Sequence, residues 1–117
     1  MARSTVSKSR EQEEFVAKFL GAKRTPRSGG GTNIKGDVVS NIALFECKTS
    51  MTEKESFTVK REWLTKIQKE RFEDRKQFAF LIQNFGGKGD KDNYVVMRIE
   101  DFKELYDSYV KEENNED

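Results

Sequence analysis

Histidine is absent from this chain, and cysteine and proline occur once each, as Cys47 and Pro26. Without an imidazole there is no Cys/His zinc cluster, no histidine general base and no Ser-His-Asp arrangement. Acid–base or metal chemistry must therefore use carboxylates, lysines and hydroxyls. A single cysteine excludes an internal disulfide and suits a reducing compartment. Long apolar runs are missing as well: none approaches the roughly 18 residues of a membrane span. The start, Met1-Ala2-Arg3-Ser4-Thr5, lacks the apolar core of a signal peptide. The expectation is a cytoplasmic protein with no membrane partner.

Net charge is also small, +1 from 22 Lys/Arg and 21 Asp/Glu. That argues against coating nucleic acid as a main task, although a local basic groove would serve an enzyme acting on it. The balance conceals an asymmetry. Residues 1–61 hold 12 basic against 7 acidic side chains, whereas residues 62–117 hold 10 against 14. A phosphate-bearing partner would meet the first half.

The 117 residues, 34% hydrophobic and 37% charged, suffice for one domain with a modest core. Residues 1–8 and 112–117 are expected to be frayed ends. Phe15, Val16, Phe19 and Leu20 recur at helical spacing up to Gly21, which predicts a first helix from about Ser7 or Ser9 to Leu20. The stretch from Lys23 to Lys35 reads as a loop with three glycines at 29–31, rich in donors and leading into Asp37. Its spacing is not that of a P-loop. Val38-Val39 and Ile42–Phe45 read as short strands. Trp63, Leu64, Ile67, Arg71 and Phe72 follow a helical period to about Lys76, with Ser56 or Thr58 as the cap and Trp63 and Ile67 in the core. Phe78–Ile82 reads as a central strand, 86–93 as a hairpin loop, Tyr94–Met97 as the returning strand, and Glu100 onward as a last helix with an acidic tail. The order αββαββα gives an α/β domain layered around one mixed sheet.

The informative stretch is Gly36-Asp37-Val38-Val39 followed by Phe45-Glu46-Cys47-Lys48. Residues i and i+2 of a strand share a face, so Glu46 and Lys48 point one way and Cys47 the other. If the two strands are neighbours, Asp37 comes close to Glu46 at an edge of the sheet. Two carboxylates and an ammonium so gathered can hold a hard divalent cation beside a phosphodiester and orient a water. On the first helix Glu13 lies one turn before Val16 and can look over the same edge, with Glu11 and Glu14 as competitors. Arg24, Arg27, Ser28 and Lys35 are candidate phosphate contacts. Lys60 and Arg61 sit in the first turn of the second helix, against its dipole, as if awaiting an anion. Cys47, with no histidine partner and the opposite orientation, reads as a core residue rather than a nucleophile.

The ordered set Glu13, Asp37, Glu46-Cys47-Lys48 resembles the PD-(D/E)xK nuclease superfamily, most of all the archaeal-type Holliday junction resolvases and their phage relatives. Glu13-Glu14-Phe15-Val16-Ala17-Lys18-Phe19-Leu20 is similar to that family's catalytic-glutamate helix, which selects Glu13. Arg27-Ser28-Gly29 resembles its basic loop, and Gly36 stands where the family has proline. The resemblance spans about residues 9–98. It implies a restriction-endonuclease-like fold and a Mg²⁺-dependent endodeoxyribonuclease, with Mn²⁺ as a substitute, that leaves 5′-phosphate and 3′-hydroxyl ends. Asp37, Glu46 and the Cys47 backbone carbonyl would hold the metal, and Glu13 a second ion or a bound water. Lys48 would act on the attacking water. It further implies branched DNA as partner, a homodimer, and a setting in a prokaryote or phage-infected cell. For the dimer, Phe57, Trp63 or the Phe78–Phe85 segment could supply an apolar patch. The alternatives are a phage or restriction-type nuclease cutting flaps, ends or duplex, a DNA-binding protein without catalysis, and an unrelated α/β domain with merely solvated charges.

Overall fold

A computed structural model describes residues 5–25 and 36–115. The order is α1 (Thr5–Leu20), β1 (Lys23–Arg24), β2 (Val38–Val39), β3 (Ala43–Thr49), α2 (Arg61–Glu73), β4 (Phe78–Asn84), β5 (Asn93–Val96) and α3 (Ile99–Asn114). One five-stranded sheet runs β1-β2-β3-β4-β5. Only β3 and β4 are parallel, joined by the α2 crossover, and the other neighbours are antiparallel. The chain is thus a single α/β domain with a mixed sheet and helices about it. The observed order, αβββαββα, differs from the expected one by the strand β1. That two-residue Lys-Arg strand carries no apolar alternation to betray it. Helical backbone also extends into both stretches expected to be frayed.

Alternation along the strands divides the core in two. Val38, Ala43, Phe45, Phe78 and Ile82 pack against Val16 and Ala17 of α1. Leu44 and Ala79 pack with Ile67 of α2 on the opposite face. Leu44, Leu81 and Ile67 are almost wholly buried, each contributing roughly 1.5–3 kcal/mol relative to exposure.

Helix α1 stops where Gly21 takes a left-handed φ of 66°. Ala22 N–H then bonds the Ala17 carbonyl at 2.8 Å and Gly21 N–H bonds that of Lys18 at 3.4 Å, satisfying two terminal carbonyls. The buried face of α1 is rotated from the one its apolar residues suggest. Gln12, Glu13, Val16 and Ala17 are buried, while Phe19 and Leu20 are exposed. The Gln12 side chain explains this shift: its amide donates to the carbonyls of Lys48 at 2.9 Å and Ile82 at 3.1 Å, tying the helix to the ends of β3 and β4. Helix α2 begins only at Arg61, and its N-cap Lys60 makes no side-chain cap. Trp63 is half-buried rather than core, whereas Ile67 is core as expected.

Candidate active site

Asp37 precedes β2 and Glu46 lies in β3, and the register Val38↔Phe45 brings them together. Asp37 N–H donates to the Phe45 carbonyl at 2.8 Å, and its Oδ2 accepts the Cys47 N–H at 2.9 Å. The aspartate is therefore fixed at both backbone and side chain. Gly36 enters this turn at φ 78°. A Cβ there would stand 3.3 Å from the Phe45 carbonyl and 3.4 Å from Leu44 Cβ. Gly36 thus enters the turn at a φ that a proline, locked near −65°, could not adopt.

Glu46 is buried on the α2 face. Burial first, then a hydrogen bond with Asp37 and the Asp37 charge, push its carboxyl up to about 7. For two carboxyls in contact, a nearby cation is the natural counterweight. Lys66 of α2 supplies part of it, with Nζ 3.6 Å from Glu46 Oε1 and 3.6 Å from Glu70 Oε2. Glu46 in turn raises the Lys66 ammonium above the ordinary lysine range. Glu70 Oε1 also accepts the Gly36 N–H at 3.2 Å, so α2 braces the turn that presents Asp37. Neither Lys66 nor Glu70 was singled out from sequence. The signal was present: Trp63, Lys66, Ile67 and Glu70 recur at i, i+3, i+4 and i+7, one helix face.

Lys48 shares the α2 face, and its Nζ lies 4.7 Å from the centre of the Trp63 ring, within cation–π range. β2 pairs with β3 only at Leu44 and Phe45, whereas β4 accompanies β3 through Thr49. Among the described residues, the half of β3 that carries Glu46 and Lys48 therefore has a strand on one side only. Asp37 stands just before β2, and Glu46 and Lys48 occupy the last half of β3, the central strand of the five.

Glu13 is buried on α1, so it approaches from the other face of the sheet. Arg24 Nε donates to its Oε1 at 3.4 Å, and Arg24 also reaches Glu14 at 3.7 Å. Arg24, expected to contact phosphate, is thus engaged with two acids. Glu11 is exposed. Cys47 packs, half-buried, with the α1-side core, as its alternation required. Lys60 and Arg61 stand exposed at the start of α2, Lys60 Nζ lying 5.7 Å from the Trp63 ring centre. Arg27, Ser28 and Lys35 lie outside the described residues.

Among the described residues, no three His, Cys, Asp or Glu side chains group closely enough to hold a metal ion by themselves. Mg²⁺ does not require such a cage. It is commonly held by one or two carboxylates, with waters and substrate phosphate completing its shell. The Asp37–Glu46 pair, two hard oxygen donors already in contact, fits that description.

Comparison of the chain with protein-family models, with curated proteins and with solved structures finds no match.

Proposed function

We propose that this protein is a Mg²⁺-dependent, structure-selective DNA endonuclease on a restriction-endonuclease-like fold, with four-way junctions as its substrate. The observation that carries the reading is the Asp37–Glu46 carboxyl pair on the same sheet face as Lys48, beside the point where the β2–β3 pairing begins. The sequence resemblance supplies the reaction class. Asp37, Glu46 and the Cys47 carbonyl would hold Mg²⁺ or Mn²⁺. When bound, the cation supplies positive charge that offsets the carboxylates and the charge growing on a phosphate in transfer.

The chain's own groups do the rest. Asp37 is pre-set by the Cys47 N–H and the Gly36 turn, so little ordering is left for the moment of reaction. Lys48, moving off the Trp63 ring, is the group on this face able to orient a water and accept or share its proton. Lys66 keeps the acidic pair folded while no cation is present. Lys60 and Arg61, exposed at the head of α2 on the Trp63 side, would meet the DNA backbone. Arg27, Ser28 and Lys35 precede Asp37 and would follow the same backbone. Glu13, held by Arg24 on the opposite face, would serve the site through a water or second ion.

The test is cleavage of end-labelled four-way junction, flap, nicked duplex and linear duplex with Mg²⁺. Junction cleavage above the others, leaving 5′-phosphate and 3′-hydroxyl ends and lost in Asp37→Asn, supports the reading. Preference for flaps, ends or linear duplex would assign the restriction-type alternative. No cleavage with Mg²⁺ or Mn²⁺, or cleavage unchanged in Asp37→Asn, would reject a nuclease centred on this pair.

A further inference from the structure

Helix α3 has an apolar strip that nothing among the described residues covers. Every residue from Ile99 to Asn115 is exposed except Asp101. The strip consists of Ile99, Phe102, Leu105, Tyr106, Tyr109 and Val110, at i, i+3, i+6, i+7, i+10 and i+11, one face of the helix. Ile99 is 84% exposed and Tyr109 68%. The start of the helix is nonetheless fixed, because Arg98 holds the buried Asp101 with two bonds of 3.0 and 2.9 Å. The molecule is drawn out to 55 × 37 × 27 Å. A rigid, uncovered strip of this kind marks an interaction surface.

We infer that α3 is the surface through which two copies of this chain associate, the helices packing antiparallel about a two-fold axis between Leu105 and Tyr106. Three arguments favour a second copy over another partner. The first is self-complementarity: that axis sets Phe102 against Tyr109 and Leu105 against Tyr106, so the four central side chains each meet an apolar one, with Ile99 and Val110 at the margins. The second is charge. The same axis sets Glu113 near Arg98, which also holds Glu100 and Asp101, at the two ends of the strip, where a parallel pairing would match acid with acid. The acids nearer the axis are already engaged within the chain, Asp107 by Lys103 at 2.6 Å and Glu104 by the Gln77 amide at 2.8 Å. The third is area. Phe102, Tyr106 and Tyr109 still expose 51%, 57% and 68% of their surface, so about half to two-thirds of the roughly 150–250 Å² that each can bury is left for a partner. With Ile99, Leu105 and Val110 this is a large part of the roughly 800 Å² per partner of a stable interface.

The segments named from sequence as a dimer patch are spent elsewhere. Phe78, Leu81 and Ile82 are buried in the sheet. Phe57 packs edge-on against Phe85 at 4.8 Å, and Trp63 lies under Lys48. The inference does not depend on the nuclease reading.

Light scattering after size exclusion tests it on the full chain at tens of micromolar. The expected result is twice the chain mass of 13.6 kDa, falling to that mass in Tyr106→Glu, which sets like charges across the axis. Unchanged circular dichroism would show that the variant folds. The register is tested in a Cys47→Ala background by mixing Phe102→Cys with Tyr109→Cys. A disulfide-linked heterodimer should form under mild oxidation, well above the yield from Phe102→Cys alone. A monomeric wild type would overturn the inference. So would a dimer indifferent to Tyr106→Glu, or cross-linking without the heterodimer preference.

Discussion

The two faces of β3 make the same seven residues into two different surfaces. Toward α1 the strand presents Ala43, Phe45 and Cys47, which meet Val16 and Ala17 in a packed apolar layer. Toward α2 it presents Leu44, which packs with Ile67, and then Glu46 and Lys48, which meet Lys66 and the half-buried Trp63. The first face holds the sheet together. The second gives up packing to keep two carboxyls in contact and a lysine within reach. Alternation with a period of two lets one strand serve both ends, because stabilising residues and reactive ones never compete for the same side. The cost falls on Glu46, whose carboxyl is raised to about 7 by burial and by Asp37.

Four substitutions would break or sharpen this contrast. Asp37→Asn on the reactive face should lower metal-dependent cleavage by at least about a hundredfold, while the thermal transition followed by circular dichroism stays cooperative. On the packed face, Phe45→Ala should cost about 3–5 kcal/mol in denaturant unfolding. That loss should be independent of added Mg²⁺ apart from the mass-action effect of ligand on the native state.

Glu46→Gln should act in the opposite direction. A carboxyl raised in the folded state binds its proton more tightly there than in the unfolded chain. Stability therefore falls as pH rises from about 4.5 to about 7. Without metal, the glutamine variant should be the more stable protein at pH 8, by roughly 1–3 kcal/mol. The advantage should vanish near pH 4.5, and urea titrations at both values would show it. A gain that persists at low pH would mean that packing, and not ionisation, is responsible. The smallest effect expected is that of Trp63→Leu. Loss of the cation–π contact, worth about 0.5–2 kcal/mol, should change the cleavage rate by several-fold and leave metal affinity alone. A matching change in both would place Trp63 with the metal pair instead of with Lys48.

How far the site could be read in advance follows from the geometry of each element. Asp37, Glu46 and Lys48 were legible because strand alternation fixes a shared face and a short antiparallel connection brings residue 37 beside 46. Lys66 and Glu70 were not, since their relevance depends on which side of α2 docks, and that is set by tertiary packing on Ile67. Glu13 was legible as an acid able to look over the sheet edge, but its burial and its approach from the α1 face follow from Gln12 anchoring the helix to the carbonyls of Lys48 and Ile82. A polar residue making such an anchor carries no periodic signature. Strand β1 has two residues, too few for any pattern. The amphipathic spacing of α3 could be read directly. That its apolar strip has no cover among the described residues is a property of the assembled fold.

The claim at the centre of this account is that Asp37 and Glu46 together hold one divalent cation. Titration of the protein with Mn²⁺, followed by loss of the free-ion electron paramagnetic resonance signal, tests it without reference to any substrate. The account predicts saturable binding that Mg²⁺ displaces and that either Asp37→Asn or Glu46→Gln removes. Mn²⁺ binding that is absent from the wild type, or equally strong in both variants, would contradict it.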